Sequence, residues 1–179
     1  FMSEIITKVL PGFMELLPEE QIEFDRIKSI ICSIYEQYGF TALDTPVIER
    51  SKTLLAKVGG ETEKQIYSVE NRNGAGLGNS DENGKTELSL RFDLTVPLAR
   101  YVADHFNDLS FPFRRCHISK VYRGERPQNG RFREFYQCDI DVIGKDRLSI
   151  RYDAEIPSII FQLFKRLNFG KFTIRINNR

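Results

Sequence analysis

The 179-residue chain contains no tryptophan, two histidines and only three cysteines. Cys32, Cys116 and Cys138 are widely spaced and include no CxxC pair, so they provide neither a disulfide framework nor a zinc finger. We therefore expect three reduced cysteines, no metal site and a reducing, cytoplasmic environment.

Long apolar segments are missing as well. No run approaches the roughly 20 residues that span a bilayer, and the first twelve residues lack the apolar region and cleavage site of a signal peptide. The sequence predicts a soluble protein that does not enter membranes.

Neither sign of charge dominates, because 26 Lys and Arg face 25 Asp and Glu. A net charge of +1 excludes a uniformly basic coat for nucleic acid. The hydrophobic residues amount to 41% of the chain and include 14 Phe and 7 Tyr, enough to form the core of one domain.

The apolar spacing predicts helices over residues 19–38, 98–107 and 153–167. Strands are predicted at 65–69, 117–123, 134–143 and 172–176. Successive strands without helical crossovers indicate an α+β fold, an antiparallel sheet flanked by helices.

Residues 88–93 alternate with period two. Leu88, Leu90 and Phe92 form the apolar side, and the other side carries Ser89, Arg91 and Asp93. The pattern predicts a β-strand with one apolar and one polar side.

The segment 71–85 is rich in Gly, Asn and Ser. Its glycines are spaced GxGxG, and neither a strand–helix context nor a GK[ST] sequence accompanies them. We interpret 71–85 as a loop inserted between two strands rather than a phosphate cradle.

Basic residues concentrate in one place. Residues 113–135 contain seven basic and two acidic side chains, and the basic ones are Arg114, Arg115, Lys120, Arg123, Arg126, Arg131 and Arg133. Arginine binds phosphate through two parallel hydrogen bonds and keeps its charge when partly desolvated. This density favours a phosphate site, although a solvated charged hairpin remains the alternative.

The strand that follows has an unusual polar side. Phe135, Gln137, Asp139 and Asp141 alternate along it, and Asp93 could add a third carboxylate. Burying such groups is costly unless they are hydrated or bind a ligand. The pattern indicates a site for a polyanion at one end and a cationic group at the other, or else an exposed sheet face.

These segments resemble a known family. Residues 121–144, VYRGERPQNGRFREFYQCDIDVIG, resemble motif 2 of class II aminoacyl-tRNA synthetases, specifically of histidyl-tRNA synthetases, so that motif 2 would span about 115–144. LRFDLTVPLAR at 90–100 resembles the family's histidine-contacting strand, and YGFTALDTPVIE at 38–49 resembles motif 1. The resemblance implies the partly complete catalytic core of such an enzyme.

The resemblance implies a role for each matching residue. Arg123 would bind the α-phosphate of ATP and act as the catalytic residue, and Arg131 would reach the outer phosphates. Glu125 would accept a hydrogen bond from the adenine amino group, while Phe135 would stack on the ring.

Further matching positions would bind the amino acid and the tRNA. The family pattern assigns the α-ammonium group of histidine to Asp93, Thr95 and Gln137, and the imidazole to Asp141. The loop residues Arg126, Gln128 and Asn129 would lie near the acceptor end of tRNA.

The implied reaction uses ATP and Mg²⁺ to form histidyl-adenylate and then transfers the histidyl group to tRNA(His). Motif 1 implies a homodimer. Nothing in the sequence resembles motif 3 or an anticodon-binding domain, so we expect an N-terminal portion of the catalytic domain that is inactive alone.

Two alternatives remain open at this point. One is a non-catalytic regulatory subunit of ATP phosphoribosyltransferase that binds histidine, and the other is a pseudo-synthetase domain. The regulatory family tends to lose the ATP-binding motif 2 loop, whereas Arg123, Glu125, Arg126, Arg131 and Phe135 are all present here. The residues therefore favour the enzyme.

Overall fold

The computed structural model describes residues 7–56, 60–70 and 87–177, with the backbone alone at 60–62. The chain forms two compact units. The first contains the residues up to Glu15 together with Thr45–Asp104 and Ser119–Gln137, and the second contains Leu16–Asp44, His105–Ile118 and the chain from Cys138 onward. The predicted loop at 71–85 lies outside the described residues.

The first unit contains an antiparallel three-stranded sheet. Its strands are β2 (Ile48–Arg50), β3 (Ser68–Val69) and β4 (Leu88–Leu90), in the order β2-β4-β3. Its helices are α2 (Ser51–Leu55), a 3-10 helix (Gly60–Gln65) and α3 (Thr95–Asp104). The helix predicted at 98–107 therefore begins three residues earlier. Of the strand predicted at 65–69, only Ser68 and Val69 are in a strand, and Gln65 is the last residue of the 3-10 helix.

The alternation along β4 is present, and the polar side is the more deeply buried one. Ser89 and Arg91 are 2% and 1% exposed, whereas Leu88 and Leu90 are only partly buried. The polar side therefore packs more deeply than the apolar side.

Arg91 tolerates this burial because other parts of the unit satisfy its guanidinium group. Its Nη1 donates to the carbonyl oxygen of Thr45 at 2.7 Å, and its Nε donates to that of Lys120 at 2.8 Å. Nη2 donates to the hydroxyl of Ser119. A buried cation with such partners avoids much of the desolvation cost that an isolated one carries.

Among the described residues, the two longest strands have ten residues each. They are β5 (Phe113–Tyr122) and β6 (Glu134–Ile143), and β5 pairs in parallel with β1 (Thr41–Ala42) in a sheet of order β1-β5-β6. The prediction of a strand at 134–143 is confirmed. The sequence predicted an antiparallel sheet, and the parallel pairing of β1 with β5 was not predicted.

The second unit packs two helices against this sheet. These are α1 (Pro18–Gln37) and α4 (Arg151–Arg166), which confirm the helices predicted at 19–38 and 153–167 within two residues. The core cluster consists of Ile34, Tyr35, Phe40, Cys116, Ile159 and Leu163.

The prediction of a strand at 172–176 is wrong, because residues 172–177 have no strand conformation. The ring of Phe172 instead packs on α4, with its centroid 5.3 Å from that of Phe164 and 5.5 Å from that of Phe161. Aromatic packing thus takes the place of strand pairing in this segment.

All three cysteines are free thiols. Burial raises the pKa of Cys116. Although Cys138 is exposed as a residue, desolvation of its thiol together with the nearby Asp139 carboxylate raises its pKa to about 11. Both groups stay protonated at neutral pH, and protonated thiols are poor nucleophiles. None of the described helices is long and apolar enough to cross a membrane.

Candidate functional site

The loop between β5 and β6 is a folded extension of the two strands. Its base is closed by a hydrogen bond from the N–H of Arg123 to the carbonyl oxygen of Arg133, 2.8 Å long. At the tip, the backbones of Gln128 and Arg131 exchange two hydrogen bonds of 3.3 and 2.8 Å. The turn between them places Gly130 at a φ of +78°, which favours glycine.

The tip of this loop presents polar side chains to solvent. The predicted tRNA-contacting residues Arg126, Gln128 and Asn129 are all exposed. They are therefore accessible to a macromolecule of the size of a nucleic acid.

Arg123 lies between two phenylalanine rings in the first unit. The guanidinium carbon is 4.4 Å from the ring centroid of Phe92 and 5.0 Å from that of Phe135, and Nε donates to the carbonyl oxygen of Phe92 at 3.3 Å. Cation–π contacts of this kind hold a guanidinium group without neutralising its charge. Arg123 is thus held in place and remains available to an anion.

Glu125 and Arg131 form an ion pair in which Nη1 and Oε2 are 3.3 Å apart. The side chain of Arg131 is 64% exposed and that of Glu125 is 25% exposed. Exposed pairs contribute little to stability, roughly 0–1 kcal/mol. A ligand can therefore replace this contact at small cost.

Two open cavities adjoin the loop. The smaller, about 360 Å³, is lined by Arg123, Glu125, Gly130, Arg131, Phe132 and Phe135. The larger, about 550 Å³, is lined by Gln65, Glu125, Arg126, Pro127, Gln128 and Arg131. All four residues that the resemblance assigned to ATP line the smaller cavity, whose volume is typical of ligand pockets.

Asp93 caps a helix. One of its carboxylate oxygens, Oδ1, accepts hydrogen bonds from the backbone N–H groups of Thr95 and Val96, at 3.1 and 3.0 Å. Thr95 is the exposed first residue of α3. A carboxylate in this position stabilises the positive end of a helix, so Asp93 has a structural role whatever else it binds.

Gln137, on β6, has a buried polar atom without a partner. Its side-chain oxygen Oε1 is inaccessible to solvent and accepts no hydrogen bond within the described parts of the chain. An unsatisfied buried acceptor costs about 1–3 kcal/mol. This unsatisfied acceptor makes Gln137 a candidate ligand-binding residue.

Asp141 belongs to the second unit, farther along β6. Its Oδ2 forms an ion pair with Nη2 of Arg115 at 2.8 Å, and the Arg115 side chain is fully buried while that of Asp141 is 35% exposed. Sequence reasoning gave Arg115 no role of its own. The available signal was its position within a strand, where a basic side chain on the buried side requires an anionic partner.

Sequence reasoning also missed two contacts that hold the loop. The backbone N–H of Gly124 donates to the carbonyl oxygen of Gln65 at 2.7 Å, and a side chain at Gly124 would approach that oxygen to 3.2 Å. The side chain of Arg133 donates to the carbonyl oxygen of Glu125 at 3.0 Å. The glycine that follows Arg123 was a sequence signal for the close approach of Gln65. No neighbouring residue in the sequence indicated the contact between Arg133 and Glu125.

Comparison with known proteins places these features in a family context. The histidyl-tRNA synthetase family matches residues 12–179. The histidine--tRNA ligase of Clostridium tetani (strain Massachusetts / E88) is 66% identical over 171 residues, which cover 96% of this chain and 36% of that protein. The chain therefore spans little more than a third of the length of this curated relative.

Two solved structures are also similar to this chain in fold. The histidyl-tRNA synthetase from Nostoc sp. PCC 7120 is 42% identical with a TM-score of 0.81, covering 97% of this chain and 37% of its own. A Bacillus halodurans C protein named as an ATP phosphoribosyltransferase regulatory subunit/histidyl-tRNA synthetase is 25% identical with a TM-score of 0.73, covering 94% and 40%. These likenesses confirm the predicted α+β class.

Proposed function

The chain belongs to the histidyl-tRNA synthetase family, and we propose that the full-length protein activates histidine with ATP and transfers it to tRNA(His). The chain has the fold of a class II synthetase catalytic domain. The observation that carries the proposal is the single cavity lined by Arg123, Glu125, Arg131 and Phe135.

At the ATP end, Arg123 faces the α-phosphate. When the carboxylate of histidine attacks the α-phosphorus and pyrophosphate leaves, negative charge develops on the phosphate oxygens, and a fixed cation stabilises it. Phe135 stacks on adenine and Glu125 accepts a hydrogen bond from its amino group. Arg131 leaves its weak pair with Glu125 to bind the outer phosphates.

At the amino-acid end, Gln137 Oε1 accepts a hydrogen bond from the α-ammonium group of histidine. The orphaned, buried state of that oxygen supports this role. Asp93 and Thr95 complete the ammonium site, and Asp141 accepts a hydrogen bond from the imidazole. A ligand without donors at these positions forgoes charge-assisted hydrogen bonds that histidine makes, and this difference favours histidine.

Magnesium would neutralise the phosphates of bound ATP. The part of the chain that the structure describes has no group of three or more His, Cys, Asp or Glu residues able to hold a metal ion. Mg²⁺ in nucleotide sites usually keeps several waters and binds through one or two carboxylates together with substrate phosphates.

The tRNA end of the reaction involves the exposed loop tip. Arg126, Gln128 and Asn129 contact the acceptor strand and place its terminal ribose for the transfer of the histidyl group. Contacts to backbone phosphates position a nucleic acid without reading its bases.

The test is an assay of the full-length protein for histidine-dependent ATP–pyrophosphate exchange and for charging of tRNA(His). Both activities are expected, and no exchange is expected from the 179-residue chain alone. Histidine binding without exchange would contradict the proposal and favour a regulatory role, as the name of the Bacillus halodurans structure allows. Exchange by the 179 residues would contradict the expected inactivity.

The remaining expectations concern organisation. We propose that residues 1–179 form part of the class II catalytic domain, with motif 1 at about 38–49 and motif 2 at about 115–144, in a cytoplasmic homodimer that associates through motif 1. Sedimentation equilibrium of the full-length protein should give twice the monomer mass. A monomer at micromolar concentration would contradict the dimer.

A further inference from the structure

A turn near the amino terminus packs against the base of the ATP-binding loop. Residues 10–13 form this turn, in which the N–H of Phe13 donates to the carbonyl oxygen of Leu10 at 3.0 Å and Gly12 has a φ of +86°. The carbonyl oxygen of Gly12 accepts hydrogen bonds from the N–H groups of Arg133 and Glu134, at 2.7 and 3.2 Å. The turn is thereby attached to the point where the loop enters β6.

The side chain of Arg133 extends the attachment. Its Nε donates to the carbonyl oxygen of Glu125 at 3.0 Å, and its Nη1 lies 3.5 Å from that of Pro11. Its methylene groups lie over Gly12, where a Cβ atom would come within 2.9 Å of Arg133 Cγ. The contact therefore requires both the positive φ and the missing side chain of Gly12.

We propose that Arg133 is a positioning residue for ATP and that the 10–13 turn is its fixed support. Arg133 is not among the residues that line the two cavities. Arg133 contacts the backbone on both sides of the loop. Its side-chain Nε donates to the carbonyl oxygen of Glu125, and its own carbonyl oxygen accepts a hydrogen bond from the N–H of Arg123. The loop thus keeps the residues for adenine and the α-phosphate at a fixed separation before ATP arrives.

This role differs from that of the other arginines of the loop. Arg133 is half-buried and its donors are directed to carbonyl oxygens, whereas Arg131 is exposed and paired with a carboxylate that ATP can displace. Preorganisation of a binding loop lowers the cost of ordering it on binding. The proposal rests on the proposed function, because it assumes that Glu125 and Arg123 bind ATP.

The first experiment compares Arg133→Met, Arg133→Lys and the control Arg26→Met in the full-length protein. Methionine keeps the packing over Gly12 but removes the donors, while Arg26 lies on α1 in an exposed pair with Glu23. Arg133→Met should raise the KM for ATP about tenfold in pyrophosphate exchange and leave the KM for histidine within about twofold. The KM for ATP of Arg133→Lys should lie between those of the wild type and Arg133→Met. The KM for ATP of the Arg26→Met control should equal that of the wild type.

A second readout does not depend on ATP chemistry. Trypsin cleavage after Arg131 should become several-fold faster in the Arg133→Met protein than in the wild type and the control, because the loop loses its attachment. An unchanged cleavage rate would overturn the proposal whatever the kinetics show. Equal rises in both KM values, or none, would overturn it as well.

A double-mutant cycle tests whether the turn and the arginine act together. Gly12→Ala alone should raise the KM for ATP, since its Cβ atom displaces the Arg133 side chain. In the Arg133→Met background the same change should have a smaller effect, because the hydrogen bonds that the displacement disturbs are already missing. Independent, multiplicative effects would show that the turn does not support Arg133.

Failure of the proposed function has a separate signature. If Arg123→Ala changes ATP binding and Arg133→Met does not, the supporting role of Arg133 is wrong and the ATP site stands. If Arg123→Ala changes neither ATP binding nor the rate of adenylate formation, but cleavage at Arg131 accelerates in Arg133→Met, the support is real and the ATP assignment is wrong.

Discussion

Replacing Arg123 by alanine in the full-length protein should lower the rate of histidine-dependent adenylate formation by about 10²–10³-fold. The cation is held between Phe92 and Phe135 and bonded to the Phe92 carbonyl, so it needs little reorganisation to meet charge as it develops on the α-phosphate. Because the proposed interaction with the α-phosphate would strengthen in the transition state, kcat should fall far more than histidine affinity. Single-turnover adenylation and equilibrium histidine binding measure the two quantities.

Controls separate chemistry from folding. Arg123→Lys keeps a positive charge but loses the planar fork, and its rate should lie between those of the wild type and the alanine variant. Arg26→Ala removes an exposed arginine on α1 and should leave the rate unchanged. Equal losses in adenylation rate and histidine binding in Arg123→Ala would move Arg123 out of the ATP site.

Asp141→Asn should raise the KM for histidine at least tenfold, which is more than about 1.4 kcal/mol of binding free energy. The substitution keeps an oxygen that can accept from Arg115 but removes the negative charge that the imidazole site is proposed to use. The KM for ATP should stay within about twofold, because the residues proposed to bind ATP do not include Asp141. Steady-state exchange kinetics at varied histidine and varied ATP give both values.

The same substitution should also lower stability. Arg115 is fully buried and forms an ion pair with Asp141 at 2.8 Å, so the substitution removes a charge-assisted contact from a desolvated cation. We expect roughly 1–3 kcal/mol of destabilisation, measured by denaturant unfolding. Asp108→Asn is the control, since its carboxylate is 80% exposed and lies 3.7 Å from the half-buried His105. An unchanged KM for histidine in Asp141→Asn would remove Asp141 from the binding site.

Much of the architecture could be predicted because its causes are local. Apolar spacing located α1 and α4 within two residues, and alternation located β6 at its observed bounds. The prediction at 172–176 failed because a short apolar segment can either pair as a strand or pack its side chains against a neighbouring helix. Phe172 packs on α4, and the residues that decide this lie outside the segment.

For the candidate site, the sequence by itself determined the residue types and their spacing. Motif 2 supplied Arg123, Glu125, Arg131 and Phe135, and a loop closed at its base brings residues of nearby numbers to one cavity. Short-range connectivity is sufficient for such a cluster. The polar alternation of β6 followed from the strand period in the same way.

The tertiary structure alone decided which side of a strand is buried and which polar groups find partners. Arg91 is buried because carbonyl groups from distant segments receive its donors, and Arg115 is buried because Asp141 lies opposite it. The contact between the 10–13 turn and Arg133 joins residues as far as 122 positions apart. Periodicity predicts which residues share a side of a strand. Only the packing of remote elements places that side in the core and supplies the hydrogen bonds that offset the desolvation cost of its polar groups.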